Sequence, residues 1–200
     1  MRILSVADIH GSQYRLNLVL KNIERYSPDL VVICGDITQF GPAEVAKNFL
    51  DQIPIETIAV TGNIDSSDVP KGIDQSKATR LELKKIIKKD IPFVGLSGVN
   101  SEDFDFLEKK ELINKKTVLV SHIPPHGLQD KIFIGKHGGS KELKKIVEDY
   151  KPRLVLCGHI HENPGFTKHE DTVVVNCSLG KRGEGALIDI NENIEIKMLE

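Results

Sequence analysis

Seven residues carry the chemistry this sequence can support: Asp8, His10, Asp36, Asn63, His122, His159 and His161. Each offers nitrogen or oxygen to a cation, and none offers sulfur. That mixture suits borderline divalent ions such as Mn²⁺, Fe²⁺, Co²⁺, Ni²⁺ or Zn²⁺ better than Ca²⁺ or Mg²⁺. Seven ligands exceed the needs of one catalytic ion with open positions. They suit two ions that share a carboxylate, because each oxygen of an Asp binds one ion. Two ions roughly 3.5–4 Å apart clamp a phosphoryl group together with an attacking hydroxide.

Each piece alone has a plainer reading. Asp8-Ile9-His10 reads equally as a cap or a surface pair, and Gly35-Asp36 and Gly62-Asn63 are common turn signals. His122 in isolation reads as a hydrogen-bonded core histidine. Gly158-His159-Ile160-His161 is the stronger motif, since alternate residues of an extended segment put two imidazoles in one neighbourhood. What joins the pieces is position: each one leaves an apolar run.

Those runs are the elements that must position the ligands. Residues 2–7, 29–34 and 55–61 read as strands, and the second is apolar throughout, as parallel strands buried on both faces are. Between them, Leu16, Val19, Leu20 and Ile23 mark a helix over 12–26, and Gly41-Pro42 opens another whose inner stripe is Ala46, Phe49, Leu50 and Ile53. This β-α-β-α-β order predicts a parallel sheet with ligands at its carboxyl edge. Residues 65–75 read as a loop, 77–89 as a surface helix on Leu81, Leu83, Ile86 and Ile87, 91–98 as a strand and 103–112 as a short helix. A strand over 117–121 exits into His122, followed by a long Pro-, Gly- and His-rich loop to Gly139. Ser140 caps a helix with Leu143, Ile146, Val147 and Tyr150 on one face. A strand over 153–157 exits through His159 and His161. Strands over 165–169, 172–177, 185–190 and 194–199 read as a meander closing a second sheet.

Composition removes several classes. The 200 residues are 40% hydrophobic and 28% charged, as in an ordinary globular protein. A net charge of −2 supplies no strong electrostatic attraction for a long polyanion, which speaks against a nucleic-acid substrate. The lysine clusters at 84–85, 88–89, 109–110, 115–116 and 144–145 read as solvated faces. No apolar run reaches the roughly 20 residues of a membrane span, and the polar exit of residues 2–7 argues against a signal peptide, so a cytoplasmic location is expected. Cys34, Cys157 and Cys177 lie in apolar runs without a C-x-x-C, and read as buried reduced thiols. Nothing in the sequence assigns an oligomeric state.

In order and spacing, Asp8-Ile9-His10, Gly35-Asp36, Gly62-Asn63-Ile64-Asp65, Ser121-His122 and Gly158-His159-Ile160-His161 resemble the calcineurin-like metallophosphoesterases over nearly the whole chain. The His122-Ile-Pro-Pro-His-Gly loop, the Gly138-Gly139-Ser140 helix start and Gly158-His-Ile-His-Glu162 resemble a small single-domain branch of that family. The resemblance implies one domain over residues 1–200, an α/β four-layer αββα sandwich of two mixed sheets flanked by helices. It implies two divalent transition-metal ions (Mn, Fe, Ni, Co or Zn). Asp8, His10 and His161 would hold the first, Asn63, His122 and His159 the second, and Asp36 would bridge them and hold the bridging hydroxide. The expected substrate is a small phosphate ester, with phosphodiesters ahead of phosphomonoesters. A non-enzymatic scaffold of the same fold is the other reading, although such a descendant should have lost ligands that are all retained here.

One departure stands out. The family places a His after the Asn, often assigned as the acid for the leaving group, and this chain has Ile64. General acid catalysis is worth roughly 10²–10⁴-fold. Either another residue of the long loop replaces it, His126 first and His137 second, against the alternative of solvated loop histidines, or the substrates carry good leaving groups. Gln39 is a weaker candidate for a polar contact near Asp36. Asp65 and Glu162 adjoin ligands and read either as carboxylates that orient them or as solvated side chains.

Overall fold

The apolar runs become the strands of two six-stranded mixed sheets. The structure, a computed structural model, describes residues 1–97, 103–105, 112–133, 135–180 and 183–200. In the first sheet β1 (Arg2–Val6), β2 (Leu30–Cys34), β3 (Thr57–Val60) and the two-residue β4 (Thr79–Arg80) run parallel. In the second, β6 (Ile91–Leu96), β7 (Val118–Ser121), β8 (Leu154–Cys157) and β10 (Thr172–Asn176) run parallel, with β5 (Lys85–Lys88) and β9 (Gly165–His169) antiparallel at the edges. β11 (Ala186–Ile190) and β12 (Ile194–Met198) complete the first sheet, β11 lying antiparallel to β1.

Strand alternation sorts the side chains into three apolar layers. Ile3, Leu30, Val32, Ile58 and Val60 face Phe93, Val118, Val120, Leu154, Leu156 and Val175 between the sheets. Their neighbours Leu4, Val6, Val31 and Ile33 face outward onto α1 (Gln13–Tyr26), α2 (Ala43–Leu50) and α3 (Val69–Asp74). Val94, Leu119, Val155 and Val174 face α4 (Lys141–Tyr150) through Leu143, Ile146 and Val147. Helices, sheet, sheet and helix stack in that order, the expected αββα sandwich. The helices begin where the sequence supplies caps: the Ser12 and Ser140 hydroxyls accept from the third residue of α1 and α4, and Ser27 ends α1 with a left-handed φ of 46° before Pro28. Among the described residues no helix is long and apolar enough to cross a membrane.

Three expectations fail. The expected loop at 65–75 contains α3. Its Pro70 lies in the first turn, where a missing N–H costs nothing, and its Gly72 is required because a Cβ there would strike the Ala43 backbone of α2. The expected helix at 77–89 is instead β4, a turn and β5. Lys89 and Asp90, with φ of 45° and 65°, form the left-handed pair that a tight hairpin to β6 demands. Lys85 and Lys88 flank Ile86-Ile87, and lysines of that kind blunt an edge strand. The last four strands do not close one sheet. β9 and β10 join the second, and the chain then crosses over Ala7, whose N–H and carbonyl bond Cys177 and Leu179, to put β11 and β12 in the first. Of the helix expected over 103–112, residues 103–105 are helical, Leu112 is not, and 106–111 lie outside the described residues.

Candidate metal centre

All seven predicted ligands stand at the carboxyl ends of parallel strands. Asp8 and His10 follow β1, Asp36 follows β2, Asn63 follows β3, His122 follows β7, and His159 and His161 follow β8. Four of them adopt a left-handed backbone: Asp8 (φ 65°), His10 (54°), Asp36 (51°) and His159 (68°). Asp and His tolerate this region better than most residues, but it still carries strain, and strain of this kind gathers at functional sites. Backbone bonds from Asp8 N–H to Gly35 (3.1 Å) and from His10 N–H to Asp36 (2.9 Å) hold the two loops side by side. Gly35, at φ 87°, is required for the approach, because a Cβ would lie 2.7 Å from His122 Nδ1.

The side chains converge in two groups. In the first, His10 Nε2 and His161 Nε2 are 3.1 Å apart, and His161 Nε2 lies 3.4 Å from Asp8 Oδ1. In the second, His122 Nε2 lies 2.8 Å from Asn63 Oδ1, 3.2 Å from His159 Nδ1 and 3.4 Å from Asp36 Oδ2. Asp8 is 0% exposed, Asp36 3% and His122 0%. Lone pairs of buried carboxylates and imidazoles aimed at one point are stable only with positive charge among them. A nitrogen-and-oxygen donor set with that convergence fits divalent ions. His10 Nδ1, buried and without a hydrogen-bond partner among the described residues, lies 3.9 Å from Asp36 Oδ2 and is a further unspent donor atom.

Proton affinities follow the same geometry. Burial pushes the His10 and His159 imidazoles below the ordinary histidine range, toward the neutral form that binds metals. The Asp8 contact raises His161, and Asp36 with Asp8 raises His122 against the opposing effect of burial. Asp8 is held low because His161 and His122 outweigh its burial. His122 Nδ1 donates to the Cys34 carbonyl at 2.9 Å, which fixes the tautomer and turns Nε2 to the site.

A family model described as calcineurin-like phosphoesterase matches residues 1–163, a span that contains every one of these ligands. The chain belongs to the calcineurin-like phosphoesterase family. An uncharacterized protein of Methanocaldococcus jannaschii is 35% identical to this phosphoesterase over 199 residues, covering 89% of this chain and 88% of its own. A protein of Arcobacter nitrofigilis named as a probable glycerophosphodiester phosphodiesterase is 28% identical over 175 residues, covering 77% of this chain and 64% of its own. The solved structure of a Thermus thermophilus protein, TT1561, shares the fold, with a TM-score of 0.73 at 13% identity and 98% of each chain covered.

Residues around the ligands divide into those the sequence pointed to and those it hid. Asp65 is a brace for the site: its carboxylate accepts from Ile37 N–H (3.1 Å), Thr38 N–H (2.8 Å), the Thr38 hydroxyl (2.9 Å) and Gly62 N–H (3.0 Å), tying the Asp36 loop to the Asn63 loop. Asp65→Ala is therefore expected to lower metal affinity about 10–100-fold, as loss of an outer support does, read by titrating metal into the chelated protein. Glu162 and Gln39 are exposed and line cavities beside His161. Ile64 also lines the cavity that opens onto His10 and His161, and its N–H donates to Asp36 Oδ1 at 3.1 Å. His126 and His137 pack together with ring centroids 5.2 Å apart, and neither lines that cavity. His137 Nδ1 instead bonds the buried Asp130 carboxylate at 2.6 Å, and Asp130 also accepts from Gly127 and Gly139 N–H, closing the long loop on itself. The hidden residue is Arg15, whose Nη1 donates to the Asp8 carbonyl at 2.6 Å. The three cysteines are free and fully buried, as expected, with Cys34 and Cys177 sulfurs 3.6 Å apart.

Proposed function

We propose that this phosphoesterase hydrolyses small phosphodiesters at two divalent ions. Asp8, His10 and His161 would hold one ion and Asn63, His122 and His159 the other, with Asp36 shared between them. The observation that carries this reading is the place of one oxygen: Asp36 Oδ2 lies 3.4 Å from His122 Nε2 of the second group and 3.9 Å from Nδ1 of His10, whose Nε2 belongs to the first. Oδ1 accepts from the Ile64 N–H, so the sharing would fall to one oxygen and not, as expected, to one oxygen per ion. Bound there, two ions would supply Lewis acidity that activates water near neutral pH and neutralises phosphoryl charge.

The chain's own residues have separate tasks. His122 keeps its tautomer through Cys34, Asp8 is fixed by two bonds from the His159 N–H (3.1 and 3.3 Å), and Asp65 holds the loops that carry Asp36 and Asn63. Ile64 gives the inner cavity an apolar wall that offers no proton to a leaving group. The relative named as a glycerophosphodiester phosphodiesterase supports the diester preference.

The test is turnover of bis(p-nitrophenyl) phosphate against p-nitrophenyl phosphate, using chelated protein reloaded with Mn²⁺, Ni²⁺ or Zn²⁺. The expected result is a higher kcat/KM for the diester. Monoester preference would put the phosphomonoesterase reading first. No turnover with any ion would favour a scaffold.

A further inference from the structure

The inner cavity has a volume of about 470 Å³ and is lined by His10, Ser12, Arg15, Gln39, Ile64 and His161. Arg15 also lines two neighbouring cavities of about 430 and 410 Å³; the first shares His161 with the inner one, the second shares Gly180 with the first, and Arg15 is common to all three. Arg15 thus stands at the junction of one branched crevice. Its side chain makes one hydrogen bond among the described residues, the bond to the Asp8 carbonyl, and no ion pair. A guanidinium has five N–H donors, so four remain for the crevice. The outer branches contain the carboxylates Glu162 and Glu184, whereas the inner cavity has no carboxylate in its lining. With the buried Asp8 and Asp36 carboxylates behind His10 and His161 taken up by the ions of the hydrolytic reading, an anion is favoured in the inner cavity, beside Arg15 and Ile64.

We infer that Arg15 binds the departing oxygen of the phosphate ester, replacing with a charge the donor that Ile64 cannot be. The inference rests on the hydrolytic reading above. In the step, the oxygen of water forms the new bond to phosphorus. The ester P–O bond breaks with both electrons staying on the leaving oxygen. That oxygen departs as an anion hydrogen-bonded to the guanidinium, and a proton released by the attacking water reaches it through solvent. Arginine does not give up its own proton near neutral pH. The substrates this site favours are therefore esters of acidic alcohols, such as phenols and enols, whose anions leave without prior protonation. A positioning role through the Asp8 carbonyl alone would impose no such selectivity.

Three variants separate the roles. Arg15→Gln removes the charge and leaves a shorter amide side chain, Arg15→Lys keeps a charge without the fork, and Arg15→Ala removes the charge and every side-chain donor. Two readouts are used, with metal content and melting temperature measured on each protein. Calorimetric titration of inorganic phosphate into the metal-loaded proteins should show about 10–100-fold weaker binding in Arg15→Gln and Arg15→Ala, the size of a lost charge-assisted hydrogen bond. Across a series of aryl methyl phosphodiesters, kcat/KM should fall about 10-fold for the most acidic phenol and about 10³-fold for the least acidic, so that dependence on the leaving group steepens. Arg15→Lys should recover part of both. If the wild type hydrolyses the series but Arg15→Gln loses the same factor throughout, or none, the inference is overturned and the hydrolytic reading stands. If the wild type hydrolyses no ester with any ion, both fall together, and that result is visible before any variant is made.

Discussion

Asp36→Asn is expected to lower phosphodiester hydrolysis by at least about 10³-fold in metal-reloaded protein, with the fold retained. The substitution is nearly isosteric. Its Oδ1 still accepts from Ile64 N–H, as Asp36 does at 3.1 Å. Its Nδ2 replaces the oxygen that stands between His10 and His122, and an amide nitrogen donates hydrogen bonds where a lone pair is needed. The site then loses one negative charge and its shared ligand together, and the remaining acid near both groups, Asp8, would have to serve both ions alone. Asp8 is held in place by the His159 N–H and lies beside His161, its proposed co-ligand for the first ion. Measuring kcat/KM and far-ultraviolet circular dichroism on the same preparation checks both halves. A variant that folds and keeps a tenth of wild-type activity would show that Asp36 is not shared between two ions.

Removing metal should lower the melting temperature by about 8–16 °C. An ion present at 1,000 times its Kd stabilises the native state by about 4 kcal/mol. For a chain of 200 residues each kcal/mol shifts the midpoint by about 2–4 °C. On the proposed reading the native state alone gains: the candidate ligands come from five strand exits spread between Asp8 and His161, so an unfolded chain does not hold them together. The structure also explains the cost without metal, since Asp8 and Asp36 are buried carboxylates whose compensation falls to the imidazoles around them. Thermal scans of chelated and reloaded protein check this, and coincident transitions would contradict it.

Much of the candidate centre was legible in the sequence because its proposed ligands are polar residues that interrupt apolar runs. A run that ends in Asp8-Ile9-His10 or Gly158-His-Ile-His announces both the strand and its exit. Sequence pattern misleads where local preference and tertiary partner disagree. Residues 77–89 contain enough leucine, isoleucine and lysine to imitate a helix face, but the left-handed pair Lys89-Asp90 turns them into a hairpin. The last four strands show correct period-two patterns, yet a strand pattern does not say which sheet will take it. That was settled by the crossing over Ala7. The left-handed conformations of Asp8, His10, Asp36 and His159 occur at residue types that tolerate them, but Asp and His are far more often found elsewhere, so the types alone did not announce them. Arg15 was invisible for a related reason: in α1 it reads as one more exposed helix residue, and only the fold returns its side chain over the end of β1.

The proposed chemistry needs a pair of ions acting together, and one titration asks whether it does. Chelated protein would be loaded stepwise with Mn²⁺ or Zn²⁺, and bis(p-nitrophenyl) phosphate turnover read against bound metal measured by atomic emission. The prediction is negligible activity without metal and a plateau at two equivalents per chain. Full activity at zero or one equivalent, or a protein that takes up no metal, would contradict it.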